Sequence, residues 1–591
     1  MEQQPANKAR GPKSRGGKLA ICLIITAVIG LIYFYVALPP INLQSGDFYT
    51  FIAILCVIYV LCSLVTSGMD LVHGGGGPRE YLRFIKARCL PVGILFLALI
   101  AVAVVGTLIS LPIFRAGAYR DLLTVEDGNF ATDITEISFN EIPTLDESSA
   151  EYLSDRQMGT LSDMVSQFEY SFDSTQINYQ GRPVRVASLV YADLVKWFTN
   201  RSEGLPAYLI VDMVTQDVEV VRLEEGMKYT PAEHFGRNLQ RHLRFHYPTY
   251  MFADPVFEIN EEGEPYWVCP RMVKTIGLFG GTDIQGAVLV NAVTGESQYY
   301  EEVPSWVDQV YVAELIMQQY DYYGMYANGF LNSILGQKDV KVTTDGYNYI
   351  AIDDDVYMYT GVTSVTSDQS NIGFLLSNQR TKETRFYSCA GATEESAKAS
   401  AQSQVQQMRY TATFPLLLNI AGQPTYFLSL KGEDGLVKMY AMVNVQQYSI
   451  VSTGGTVAAC ETSYRQALAD NNLISETEAE ALPSDQAETT GTIAEIRTAV
   501  MDGNSYYFFR LTDSDVFYAV SASDSPLAVI LNVGDQVTIT YTEGTNSSIL
   551  AGSQIHRASG EDEEITLPLP EEEPETGDTA PTGEGTAEEA A

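Results

Sequence analysis

The chain has 591 residues, 74 acidic against 36 basic, and a formal net charge of −38. A cationic face for phosphates is therefore missing, which excludes an ordinary nucleic-acid binder. With 46% hydrophobic and 19% charged residues the chain is not mainly disordered, and seven Cys in this length is no disulfide scaffold.

Three apolar runs come first: Leu19–Leu38, Phe48–Val65 and Leu90–Phe114. Each has the length and composition needed to cross about 30 Å of hydrocarbon. Lys8, Arg10, Lys13, Arg15 and Lys18 precede the first run, Arg79, Arg83, Lys86 and Arg88 precede the third, and only Asp47 lies between the first two. Positive charge stays cytoplasmic. A basic cytoplasmic tail (1–18), three transmembrane helices (19–114) and an extracytoplasmic remainder (115–591) are therefore expected, in a multi-pass cell-membrane protein whose first partner is the lipid bilayer. The remainder carries most of the negative charge, so it is expected to stand off an acidic lipid surface. His73-Gly74-Gly75-Gly76-Gly77-Pro78 lacks the strand and the Gly-Lys-Ser/Thr of a phosphate loop and reads as a linker.

A membrane-proximal segment (115–176) follows, with a helix from Ser148 to Met158 capped by Ser148 or Ser149 and closed by Glu151. Then comes an internal duplication. Strand–turn–strand patterns at Ala207–Arg222 and Asn371–Tyr387 each lead to a helix, expected over Pro231–Phe245 and Thr393–Met408. An aromatic–proline pair follows each helix, Tyr247-Pro248 and Phe414-Pro415. Gln180-Gly181 and Asp345-Gly346 read as matching upstream turns. Each half carries a second hairpin and helix, the helices expected over Ser305–Tyr320 and Gly455–Ala469. Alternating apolar and polar residues mark half-buried antiparallel strands. The expectation is an α+β fold with two similar lobes (177–335 and 336–472), each of antiparallel sheets with helices on one face. A linker (473–489), short strands forming a small β-barrel (490–557) and a disordered acidic tail (558–591) complete the chain.

The stretch Asn291-Ala292-Val293-Thr294-Gly295-Glu296 between two strands resembles the turn of PepSY-type domains, whose pattern ends in Asp-Ala-x-Thr-Gly. Thr215-Gln216-Asp217 and Thr381-Lys382-Glu383 depart further. The resemblance implies small extracytoplasmic α+β modules that regulate or sense at the envelope, and it carries over no catalytic residues. The whole chain is similar to large uncharacterised membrane proteins of Gram-positive bacteria. Val533-Gly534-Asp535-Gln536-Val537 leading into an alternating strand resembles OB-fold barrels, but only Arg497 and Arg510 fall between 490 and 550, too few for a nucleic-acid groove.

Few constellations could carry chemistry. His242 and His246 sit at i and i+4 on one helix, a metal-ligand spacing, but no Glu lies between them and Arg237, Arg241 and Arg244 oppose a cation. Asp353-Asp354-Asp355 lies between two strands. Asp353 and Asp355 are candidate Ca²⁺ ligands, against the simpler reading of a hairpin turn. Tyr320, Tyr322, Tyr323 and Tyr326 are candidates for an exposed aromatic binding patch. Cys269, Cys389 and Cys460 read as buried free thiols. No catalytic set and no cofactor site is assembled, so a non-catalytic protein that binds or regulates an envelope protein or peptide is expected. The alternatives are a metal-assisted hydrolase of envelope polymers using the two histidines, and an accessory subunit of a transporter or secretion complex.

Overall fold

The computed structural model describes residues 15–68, 78–134, 136, 142–171, 173–352, 354–364, 370–479, 486–501, 504–512, 514–522, 525–542 and 548–558. The glycine-rich loop before Pro78, Asp353 and nearly all of the acidic tail lie outside them. The chain divides into two compact bodies, 1–481 and 482–591.

Three helices in the first body are long and apolar enough to cross a membrane: Leu19–Ala37, Gly46–Thr66 and Leu82–Ser110. Pro112 opens a new helix after the third, so the span ends at Ser110, short of Phe114.

β1 (Val125–Gly128) follows, and then four sheets in chain order. Sheet A comprises β2 (Phe168–Tyr170), β3 (Thr175–Tyr179), β4 (Arg182–Tyr191), β5 (Leu205–Asp212) and β6 (Val218–Met227). Sheet B comprises β7 (Met251–Phe252), β8 (Val256–Ile259), β9 (Pro265–Ile276), β10 (Gly280–Asn291) and β11 (Ser297–Tyr300). Sheet C comprises β12 (Lys341–Thr343), β13 (Asn348–Ile352), β14 (Asp355–Ser364), β15 (Ser370–Asn378) and β16 (Thr384–Ala392). Sheet D comprises β17 (Thr411–Ala412), β18 (Leu416–Ile420), β19 (Gln423–Lys431), β20 (Val437–Asn444) and β21 (Val451–Gly454). In each, the first two short strands pair side by side with the third, and the third, fourth and fifth follow as an antiparallel meander. A helix comes after each sheet: Leu239–His246, Ala313–Met325, Glu394–Gln404 and Val457–Asp470. The duplicated pattern is thus one sheet-plus-helix module used four times, with β1 added in parallel to the edge of sheet C.

One turn recurs between the fourth and fifth strands. Asp212, Asn291, Asn378 and Asn444 each accept the backbone N–H groups two and three residues on. In the first three, a Thr hydroxyl accepts the N–H two residues further, and Gln216, Gly295 and Lys382 take positive φ. The side chain supplies the turn's hydrogen bonds, so non-glycine residues are tolerated at the left-handed position. The fourth turn is one residue longer and has no Thr.

Sheets A and B share one core, with Tyr208, Phe257 and Trp267 at its centre. Sheets C and D share another around Tyr359, Phe374, Tyr426, Phe427 and Tyr464. The Ala313–Met325 helix covers the outer face of sheet C, where Ile316 and Tyr320 meet Met358, Val362 and Leu375. Cys269, Cys389 and Cys460 are free and buried.

Local expectations shift in four places. The helix expected from Ser148 starts at Glu147, because Asp146 is its cap and accepts the Ser149 N–H at 3.0 Å. The helix expected over Pro231–Phe245 forms only from Leu239, capped by Asn238, because Phe235 sits at φ 54° and breaks it upstream. The helix expected over Ser305–Tyr320 begins at Ala313, because the N–H groups of Asp308 to Tyr311 are engaged elsewhere, by Glu258 and the Gln379 carbonyl. Asp345-Gly346 is not the counterpart of Gln180-Gly181. It joins β12 to β13, whereas Gln180-Gly181 joins β3 to β4, the position that Ala421-Gly422 fills in sheet D.

The sheets and helices that follow the candidate spans do not stand off them. Arg241 Nε donates to the Tyr35 carbonyl at 3.2 Å and Arg244 Nε to that of Leu38 at 2.9 Å. Leu278 and Phe279, at the tip of the β9–β10 hairpin, donate their N–H groups to Ser110 Oγ at 3.0 and 3.1 Å, and Phe279 packs on Tyr49. Net charge says how much charge a region carries, not where; two arginines and no acid occupy the Leu239–His246 helix that meets the first span.

The second body is a closed five-stranded barrel: β22 (Gln486–Met501), β23 (Asn504–Leu511), β24 (Phe517–Ser521), β25 (Gln536–Thr542) and β26 (Ile549–Arg557), in the order β22-β23-β24-β26-β25. Phe509, Val520, Val537 and Ile539 fill it.

Candidate functional site

Residues Thr144–Asp146 form a strap between the two sheet pairs. Thr144 donates N–H and Oγ1–H to the Met213 carbonyl, both at 2.8 Å, on the side of sheet A. Ser429 Oγ donates to the Thr144 carbonyl and Lys431 Nζ pairs with Asp146, both at 2.5 Å, on the side of sheet D. Burial pushes the Asp146 carboxyl up, but Lys431 and the Ser149 bonds outweigh it and hold it below the usual carboxylate range.

Beside this strap a cleft of about 570 Å³ opens between the lobes. Its rim carries Glu147 and Glu151 from the Glu147–Thr160 helix. Its floor holds Gln176 and Arg185 from sheet A and Gln309, and its far wall is aromatic, with Tyr347, Tyr349 and Phe414. Gln309 Nε2 donates to the Gln176 carbonyl at 3.0 Å, which ties the floor together. Arg185 is buried, donates to Ser174 Oγ at 2.8 Å and lies 3.7 Å from Glu147. Burial, then the bond to Glu314 at 2.7 Å, pushes the Tyr347 phenol up to about 12, so it stays protonated.

Beneath the floor lies a carboxyl pair. Both oxygens of Glu258 accept backbone N–H groups, of Asp308 at 2.9 Å and Gln309 at 2.8 Å, and Asp308 accepts the Asn178 N–H at 2.7 Å. Burial, and for Asp308 the charge of Glu258, pushes both carboxyls up. Both are sealed from the cleft, so they fasten the 307–309 loop to β3 and β8 rather than meet a ligand.

The residues singled out from sequence do not assemble here. His242 and His246 lie with ring centroids 4.2 Å apart and tilted by 37°, with His246 Nδ1 engaged by the His242 carbonyl at 2.8 Å, at the end of the first span. Asp353 lies outside the described residues. Asp355 is held by Arg380 through two 2.7 Å bonds and by Asn378, so a guanidinium sits where a cation would. The tyrosines form no exposed patch: Tyr320 and Tyr326 are buried, and Tyr322 and Tyr323 are half-buried. Tyr322 packs edge-on against Tyr119 at 4.9 Å, fixing the helix to the segment after the third span. A helix between a sheet and the Pro112–Arg120 helix has two apolar faces, which in sequence look like an aromatic surface. Among the described residues no group of three His, Cys, Asp or Glu is placed to hold a metal.

The cleft residues themselves were missed. Only the carboxylate at Asp146 before a helical stretch hinted at the strap; Arg185, Gln309 and Tyr347 lie in ordinary strand or loop patterns. No family model matches the chain, and no curated protein matches it.

Proposed function

We propose that this chain is a membrane-anchored binding protein of the cell envelope. Its N-terminus would be cytoplasmic and residues 115–591 extracytoplasmic, and it would hold a peptide or protein segment in the interlobe cleft and regulate it without catalysis. The observation that carries this reading is the cleft itself: a strapped groove with an acidic rim, one buried guanidinium and an aromatic wall. Such a groove suits an extended segment with a Lys or Arg side chain, whose cation meets Glu147 and Glu151 while its stem lies on Tyr347. The PepSY-like turn supports placing the modules outside the cytoplasm, and the OB-like barrel would be a structural extension. The bilayer is the other partner; no nucleic acid and no cofactor is required.

The test uses the full chain in its native membrane, with a photo-crosslinking residue in place of Tyr347 or Glu151, and at Lys398 as an off-cleft control. Both cleft positions are expected to trap one recurrent species that Glu147→Lys reduces. Adducts identical to those from position 398 would overturn the reading.

A further inference from the structure

A second concavity lies beside the last turn of the first candidate span. It is an apolar groove of about 570 Å³ bounded by the Leu194–Asn200 helix, the 234–235 turn and Tyr35 of the first span. Leu194, Val195, Phe198 and Phe235 line it while 65, 67, 59 and 62% exposed. That is a costly surface to show to water. Phe235 adds a further oddity, since it holds a left-handed backbone at φ 54° that a bulky residue rarely adopts, yet its ring finds little protein to pack on. The groove is built rather than accidental. Its one buried aromatic, Trp197, is fixed by Glu233, which accepts the indole N–H at 2.9 Å and is itself held by Tyr191 at 2.7 Å.

The position settles what faces the groove. Arg241 stacks 4.3 Å from the Tyr35 ring and bonds the Tyr35 carbonyl, and Phe245 meets Phe34 edge-on at 5.8 Å. Tyr35 lies within the last turn of the span Leu19–Ala37. The groove therefore continues the lipid-facing surface of that span. Its charge is equally one-sided. Arg201 stacks over Phe198 at 4.4 Å, Arg237 and Arg241 flank the turn, and among the described residues none of the three pairs with a carboxylate. In a chain of net charge −38 this is a segregated cationic rim around an apolar slot.

We infer that this groove seats one anionic phospholipid of the adjoining leaflet, an acyl chain lying along Leu194, Phe198 and Phe235 and the phosphate meeting Arg201 and Arg241. The shape follows the chemistry of the ligand: an apolar slot open to hydrocarbon, with guanidinium donors at headgroup level. The inference needs the spans to lie in a membrane but is independent of the cleft reading.

The experiment reconstitutes the full chain in nanodiscs containing phosphatidylcholine with a minor fraction of phosphatidylglycerol. Bromine is placed on the acyl chains of one lipid or the other, and quenching of Trp197 is taken as the difference between the native chain and Trp197→Phe. Brominated phosphatidylglycerol is expected to quench more than brominated phosphatidylcholine at equal fraction, reflecting an enrichment of about five-fold for each arginine engaged. Arg201→Gln, at an exposed side chain, should remove much of that preference. Equal quenching by both lipids would mean bulk lipid only and overturn the seat. Absence of quenching by either would mean that protein fills the groove, and would overturn it as well. The comparison of the two lipids does not use Arg201→Gln, so it decides the matter even if that variant fails to fold.

Discussion

The contact between the β9–β10 hairpin tip and the third span can be broken at one atom. Ser110 is buried; its hydroxyl donates to the Gly106 carbonyl at 2.6 Å and accepts the N–H groups of Leu278 and Phe279. Ser110→Ala removes the acceptor for two half-buried donors. An orphaned buried donor costs about 1–3 kcal/mol, so the pair is worth on the order of 2–4 kcal/mol once partial access to water is allowed for. The loss is local, because the rest of the hairpin keeps its ladder from Gly280↔Ile276 onward. Hydrogen exchange by mass spectrometry on the full chain in nanodiscs should show the amides of 277–280 exchanging roughly 30- to 1,000-fold faster, since each 1.4 kcal/mol is tenfold. Amides of the β14–β15 ladder should be unchanged. Gly106→Leu tests the same contact sterically, as a Cβ there would lie 2.7 Å from Leu278 Cδ2 and 2.8 Å from Phe279 Cε2. If Ser110→Ala leaves exchange at 277–280 unaltered, the hairpin does not rest on the span and the docked arrangement is wrong.

Other expectations concern charge, turns and thiols. Burial raises the Glu258 and Asp308 carboxyls above their unfolded range, so the unfolded state ionises first as pH rises. Stability should therefore fall from about pH 4.3 upward, and Glu258→Gln should flatten that slope in thermal melts of the full chain between pH 4 and 8. Asp146 has the opposite sign: its lowered carboxyl stabilises above the usual carboxylate range, and acidification below about pH 4 should remove that contribution; Asp146→Asn should show no such loss. Asn378→Ala deletes the acceptor for the Arg380 and Thr381 N–H groups and the bond to Asp355, and should cost about 1–3 kcal/mol in denaturant unfolding; an unchanged midpoint would show that the turn is set by its backbone alone. Cys269, Cys389 and Cys460 are buried with thiols raised by desolvation, so a thiol reagent should modify them only after unfolding.

What the sequence disclosed was what repeats or exceeds a length. The three apolar runs are self-evident because a helix in lipid must be apolar all round. The modules show because period-two strands recur with an Asp or Asn before each turn. Two hairpin-and-helix units per half are legible in this way, but the start of the sheet B helix is not: it is displaced by the backbone bonds to Glu258 and Gln379, and no local signal announces those. Helix boundaries shift where a distant group engages the backbone, as Glu258 and Gln379 do ahead of Ala313, or where a neighbouring residue makes the cap, as Asp146 does at 147–160. The cleft was illegible for the same reason. Arg185 looks like any polar position in a strand until sheets A and C come together. The aromatic run at 320–326 misled because periodicity reports that a face is apolar, not whether protein, lipid or ligand covers it.

The strand β1 follows the third span after one short helix, Pro112–Arg120, and pairs in parallel with β16, which belongs to sheet C. Sheets A and B, with their helices, are synthesised between the two partners. During synthesis, then, the Val125–Gly128 backbone must wait without its partner strand while an entire lobe is made. Only when β16 arrives can that edge close. Such late, long-range pairing is slow and leaves a strand open to wrong partners. The second lobe thus acts as a clasp: a chain that has completed sheets A and B but stops short of residue 384 would leave the Val125–Gly128 backbone without the strand it pairs with.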